Sequence, residues 1–405
     1  MYGTRTGASI LPHQRRRERT DPPDGRRPET EETMTDTIKV GVIADQTGPL
    51  AFAGIASANV ARMVIGDINA RGGLLGRHLE LLLEDGATDD AVAAAAAAKL
   101  VAEGVDVILG GIYSSTRQAI KGPAVVEGRT LYIYPEQNEG QESDPLIFCT
   151  GPVPAEQLDP FIPWFMRETG ARRFYLPTAD YIWPHVMNAR IRELVTAHEG
   201  AVVGEEYFPL HHMEYGALVE RIVASGADTV FNTIVPPGVT PFLRDLHEAG
   251  FSDRGGRLIC TYFDENFLNM VPAAHVEGLY GCLDYYQAVE DPFSRKLLEQ
   301  YDALYPGAAA FTGGSGCSGL YRGLRLWADA VTEAGSLRQD AVIAALDHGE
   351  LAEGPGGPAA VVPGQHHLRM NMYIARARAG RFEVVHALGP IDPQERLLAP
   401  TVAAR

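Results

Sequence analysis

From Thr37 to Thr261 the chain repeats one unit: a short apolar run rich in β-branched residues, then a stretch with helical spacing, then another apolar run. This alternation is the feature that most limits the fold. A strand followed by a helix long enough to cross back leaves the next strand parallel to the first, in a right-handed crossover. The spacing predicts strands over 37–44, 78–83, 105–110 and 131–134, with helices over 57–70, 89–104 and 116–127 between them. Near Pro152 to Pro154 the pattern restarts, predicting a helix through Trp164 and Phe165. Further strands are expected over 173–177, 201–208, 229–234 and 257–261, separated by helices over 186–198, 215–225 and 240–249. The alanine run from Ala93 to Ala98 suits a helix lying close on a sheet, because alanine is the best helix former.

Two alternating blocks in 405 residues suit two cores rather than one. Beyond Gly278 the sequence predicts an extended segment, LYGCLDYYQA, then helices over 292–305, 318–334 and 340–346. A terminal hairpin follows, with Ala379 and Gly380 at its turn. Late segments of this kind can return to both blocks and join them by several strands, which makes a hinge. The expected fold is α/β: two doubly wound parallel-sheet lobes joined by a multi-strand hinge, in the manner of a Venus flytrap. The expected lobes are 37–154 plus 284–352, and 155–283 plus 353–405. Residues 1–36, rich in Arg, Pro, Glu and Thr, have the composition of a disordered leader. No apolar h-region follows Arg15, Arg16 and Arg17, so the written chain shows no export signal of the twin-arginine kind.

The formal charge of −17 disfavours direct nucleic-acid binding, since it repels a phosphate backbone. No apolar run approaches the ~20 residues of a membrane span, so membrane insertion is not expected. Cys149, Cys260, Cys282 and Cys317 form no CxxC pair and read as small core residues, with a disulfide left open. Gly314, Gly316 and Gly319 satisfy G-x-G-x-x-G but follow no strand, which favours a helix-entry loop over a nucleotide site. The pairs His211–His212 and His366–His367 point to opposite faces of any strand and read as surface or turn residues. No G-x-S-x-G, H-E-x-x-H or P-loop occurs. The expectation is a binding protein that is not an enzyme and needs no cofactor or metal.

Open parallel sheets bind ligands outside the carboxyl ends of their strands. Ser114, Ser115 and Thr116 follow a buried strand and open a helix, where hydroxyls can cap the helix or donate to a ligand oxygen. Tyr134, Glu136 and Gln137 follow the next strand. From the second block, Tyr181 and Trp183 lie in a strand-end loop and can wall a small solute, with Asn232, Thr233, Asp264 and Glu265 as weaker candidates.

Several segments carry a family resemblance: KVGVIADQTGPLAFAG, DINARGGLLGRHLELL, SSTRQAI, YIYPEQNEGQES, TGPVPAEQ, FYLPTADYIWP, GEEYFPL, DTVFNTI and GPGGPAAVVPGQHHL. They are spread over 37–400. The chain resembles the type I periplasmic-binding fold, in the branch of ABC-transporter solute-binding proteins for branched-chain amino acids, urea and short-chain amides. Within it, the urea-binding proteins and the amide sensors of amidase operons are the most similar. The resemblance implies that Ser114 bonds the solute and that Tyr134 is the tyrosine of the family's YP motif. It places Trp183 where an amide sensor has a stacking tyrosine, and Tyr181 two residues earlier in the same loop. Ile112 stands in place of a pocket aromatic and Glu136 in place of a threonine. A carboxylate there needs a charged or strongly donating partner, which points away from acetamide and urea toward an amine-bearing or guanidine-like solute. The implied partner is a set of ABC permease subunits, with an extracytoplasmic location. The alternative is a cytoplasmic sensor acting through a regulatory protein.

Overall fold

The computed structural model describes residues 37–314 and 316–393, so the expected leader lies outside the described residues. The first block runs β1 (Ile38–Ala44), α1 (Ala51–Ala70), β2 (Leu79–Asp85), α2 (Asp90–Ala102), β3 (Val107–Gly110), α3 (Ser114–Lys121), β4 (Tyr132–Tyr134) and β5 (Ile147–Cys149). β1 pairs in parallel with both β2 and β3, and β3, β4 and β5 continue the parallel order. The apolar runs that predict strands are buried: every residue of β3 and β4 lies in the core. α2 is started by Asp89, whose carboxylate accepts from the N–H groups of Ala91 and Val92, and it lays Ala93, Ala96 and Ala97 on the sheet. α1 begins six residues earlier than its spacing predicts. By length and apolar composition it could also cross a membrane, which corrects the expectation that no such run exists. Two-thirds of it is buried between β1, β2 and later helices, as a core helix.

The second block repeats the pattern: α4 (Pro154–Thr169), β6 (Arg173–Ala179), α5 (Ile182–Ala197), β7 (Ala201–Phe208), α6 (Gly216–Ala224), β8 (Thr229–Phe231), α7 (Val239–Glu248), β9 (Arg257–Ile259), α8 (Glu265–Asn269) and β10 (Tyr280–Leu283). α4 starts with Pro154 in its first turn and Glu156 accepting from the Val153 N–H, and stops at left-handed Gly170. Phe174 and Leu176 of β6 are fully buried, and each such side chain stabilises the fold by about 1.5–3 kcal/mol.

The remaining elements return to what precedes them. α9 (Pro292–Leu304) and α10 (Cys317–Ala334) pack on α1, and α10 also covers β3 and β4. α11 (Gln339–Leu346) follows, then β11 (Glu350–Leu351), β12 (Ala359–Val362), β13 (His367–Arg378) and β14 (Arg381–Ile391), the last two turning at Ala379 and Gly380 as expected. The sheet order is β2-β1-β3-β4-β5-β13-β10-β9-β8-β6-β7. β13 is the joint. Its first residues pair with β12 and β5, and Tyr373 to Arg376 pair with β10. The fold is therefore two doubly wound lobes with a strand running through both. His366 lies half-buried in the turn ahead of this joint, as expected, and stacks on Phe148 at 3.9 Å, whereas His367 starts the strand and is 3% exposed, so it is neither a surface nor a turn residue. All four cysteines are free and buried.

Candidate functional site

In each lobe the chain order reverses beside one strand. β1 and β3 flank the switch in the first lobe, and β6 and β8 flank it in the second. The segments leaving these strands cannot pack on each other across the sheet, so a crevice is left at their carboxyl ends. A cavity occupies it. Its volume is about 50 Å³. Its walls come from every strand end at the two switches: Leu50 and Ala53 after β1, Ile112, Tyr113 and Ser114 after β3, Glu136 and Gln137 after β4, and Gly314 ahead of α10. The other lobe supplies Tyr181 and Trp183 after β6, Val235 and Pro236 after β8, and Tyr262 and Phe267 after β9.

Five of the residues expected from sequence meet here: Ser114, Glu136, Gln137, Tyr181 and Trp183. Ser114 is 2% exposed and opens α3, two residues before the expected start of that helix. The expected loop around Trp183 is instead the first turn of α5, which fixes the indole and leaves it 3% exposed. Its Nε1–H has no partner. The Tyr181 and Trp183 rings stack at 6.4 Å, Tyr113 meets Tyr181 at 5.4 Å, and Tyr262 stands nearly perpendicular to Trp183 at 6.2 Å. Gln137 Oε1 accepts from Gln157 Nε2 at 3.1 Å, and the same amide donates to the Cys282 carbonyl at 3.0 Å.

None of the other expected residues lines the cavity. Ser115 and Thr116 each donate to Asp90 Oδ1 at 3.0 Å, which ties α3 to α2 rather than facing the cavity. Tyr134 is fully buried under the Arg117 guanidinium and donates to the Ile112 carbonyl, so it holds the wall from behind. Asp264 caps α8, accepting from the Asn266 and Phe267 N–H groups. Asn232 does similar work for Tyr262, donating to its hydroxyl at 3.3 Å.

Sequence reasoning missed Tyr113, Tyr262, Phe267 and the 235–236 segment. Tyr113 had a findable signal, being the residue immediately before the serine cluster. Its hydroxyl donates to the Pro236 carbonyl at 3.1 Å, a direct bond between the lobes. Phe52 meets Phe267 edge-on at 5.0 Å, a second contact across the crevice. The glycine-rich loop is also part of the site: it enters α10 as expected, and Gly314 reaches the cavity.

Glu136 dominates the electrostatics. Its carboxyl is 3% exposed, and Oε1 has no hydrogen-bond partner. Burial pushes its pKa well above the usual carboxylate range, and the nearby Asp264, Asp45 and Asp284 push the same way. Tyr181 and Tyr262 are likewise raised by burial and stay protonated. Among the described residues no cluster of three or more metal-ligating side chains occurs.

The profile of the periplasmic binding protein family matches residues 37–381. The Leu/Ile/Val-binding protein of Escherichia coli K12 is 35% identical over 220 residues, 54% of this chain and 60% of that protein. The leucine-specific-binding protein of Salmonella typhimurium is 40% identical over 85 residues, 21% and 23% of the two chains. The matched part thus spans well under two-thirds of these relatives. The fold extends further. A solute-binding protein of an ABC transporter from Rhodopseudomonas palustris, solved with 3,4-dihydroxybenzoic acid, superposes with a TM-score of 0.79 at 22% identity, over 89% of this chain and 98% of that one. The branched-chain amino acid transporter substrate-binding protein LivJ of Streptococcus pneumoniae, solved with isoleucine, gives 0.77 at 19%, over 87% and 100%. Sheet order, joint strand and family profile agree, and the chain belongs to the periplasmic binding protein family, with the type I fold.

Proposed function

We propose that this protein is the solute-capturing subunit of an ABC importer, working outside the cytoplasm with permease subunits, and that it closes its two lobes over one small amide-, urea- or amino-acid-like solute. The observation that carries this reading is the cavity itself, walled by Ser114, Glu136 and Gln137 on one side and by Tyr181, Trp183 and Tyr262 on the other. A solute there touches both lobes at once. Its contacts exist only when the lobes meet, and such differential contact is what lets a ligand favour the closed state. The Ser114 hydroxyl and the Trp183 Nε1–H can donate to a solute oxygen, while the rings cover its apolar part. Capture of this kind needs no chemistry on the solute. Relatives that bind leucine, isoleucine and valine support the solute class in size and in carrying polar groups.

The test is a thermal-shift screen of the intact chain against amides, ureas, guanidines, amino acids and aromatic acids. A solute that binds only the folded state raises the midpoint by mass action, by about 2.7 kcal/mol of stability at a hundred times Kd. At least one class is expected to do so. No shift from any class, together with unchanged behaviour of Ser114→Ala, contradicts the reading.

A further inference from the structure

Among the described residues, the cavity wall contains no lysine, arginine or histidine. The buried cations on the first-lobe side are already engaged. Arg117 pairs with Glu139 at 2.8 Å, Lys121 with Glu142 at 2.8 Å, and Arg322 with Asp284 at 2.5 Å. Glu136 is left as a buried acid in the wall, with Oε1 unpartnered, and the acids near it are of the same sign. Gly316 confirms how closely its position is set. A Cβ at Gly316 would lie 2.3 Å from Glu136 Oε1 and 3.0 Å from Ser57 Oγ, so the carboxyl is packed against backbone on one side. The other lobe faces it with Tyr181, Trp183 and Tyr262, and Tyr113 completes the ring set. Aromatic rings around a desolvated site attract cations through their quadrupoles.

We propose that the solute presents a compact organic cation, a guanidinium, amidinium or primary ammonium group, to the Glu136 carboxylate, with Tyr113, Tyr181, Trp183 and Tyr262 boxing it. This rests on the solute-capture reading and names the class of solute. The chemistry is complementary in both directions. A cation supplies the donors that Glu136 lacks, whereas a carboxylate solute finds no basic side chain among the described residues of the wall. The overall charge of −17 gives the same preference at long range. Burial and the like charges around it favour the protonated form of Glu136 in the empty protein. Asp45 after β1, Asp264 ahead of α8 and Asp284 after β10 oppose its ionisation, and Tyr132, Tyr134, Tyr181 and Cys317 are the other titratable groups within reach. A bound cation reverses that balance, so the proton leaves as the cation enters.

The experiment is calorimetric titration of the intact chain with methylguanidinium, acetamidinium and ethylammonium, beside acetamide, urea, leucine and benzoate, in two buffers of different ionisation enthalpy. Expected are binding by at least one cation, proton release to the buffer, and affinity that rises with pH. Glu136→Gln should weaken the cation by about tenfold or more, the worth of a charged hydrogen bond. Should that variant fail to fold, the wild-type pH series decides alone. Binding of a neutral or anionic solute with no cation bound overturns this inference and leaves the capture reading standing. Cation affinity that is independent of pH, or that survives Glu136→Gln, also overturns it. Binding by no member of the panel overturns both.

Discussion

Ser114 and Gly316 show how single residues set the site. Ser114 lines the cavity and its backbone opens α3, while Ser115 and Thr116 already bind α3 to Asp90. Ser114→Ala should therefore weaken solute binding by about 1 kcal/mol, the net worth of one neutral hydrogen bond, with an unchanged melting midpoint. Calorimetry and a thermal melt on the same sample check both halves of that statement. Gly316 sits at φ +92° with Glu136 against it, so Gly316→Ala combines backbone strain with displacement of the carboxyl and should lower both stability and affinity. The acids give a pH signature. Burial and the neighbouring Asp264 push Glu265 up to about 8, above its value of about 4.5 when unfolded. A raised carboxyl stabilises the fold fully below the unfolded value, and that contribution is lost as pH rises through the folded value. Stability of the empty protein should fall between about pH 4.5 and 8, and Glu265→Gln should flatten the decline in a series of thermal melts.

Elements were legible where one period dominated. The β–α alternation predicts strand and helix order because buried parallel strands read as apolar runs and the helices between them keep a 3.6 spacing. The same rule located Ser114, Glu136 and Tyr181, since strand ends of a doubly wound sheet are fixed by that order. Tyr262 and Pro236 were not legible, because which loops face one another depends on how the lobes dock and leaves no local pattern. β5 is three residues long and pairs with the joint strand from more than 200 residues away, so no local periodicity marks it. The ends of α1 and α5 were misplaced for another reason: proline and glycine near a helix start look like loop, although a first turn tolerates them. Behind the site, Arg117 ties α3 to the 139–142 segment, pairing with Glu139 at 2.8 Å and lying over the Tyr134 ring at 5.0 Å. Arg117→Met would leave Glu139 buried without its cation and should cost about 3–5 kcal/mol in a denaturant melt. The matched double change to Met at 117 and Gln at 139 should recover much of that loss.

At the scale of the molecule, two lobes share the joint strand β13 and meet at the cleft through Tyr113 against Pro236 and Tyr181, Phe52 against Phe267, and Gln137 against Gln157. These few contacts are modest beside the cores, so the solute should decide how much of the population is closed. Small-angle scattering should show a smaller radius of gyration with saturating solute, and Tyr113→Phe should shift the empty protein toward the open form. The central claim is that one solute is gripped from both lobes together. Its most direct test is a double-mutant cycle on binding, with Ser114→Ala in one lobe and Trp183→Ala in the other, read by calorimetric titration of a solute that the wild type binds. Each single change should weaken binding, and the pair should be coupled by about 0.5 kcal/mol or more, because one molecule bridges both side chains. Affinity unaltered by either change would contradict the account.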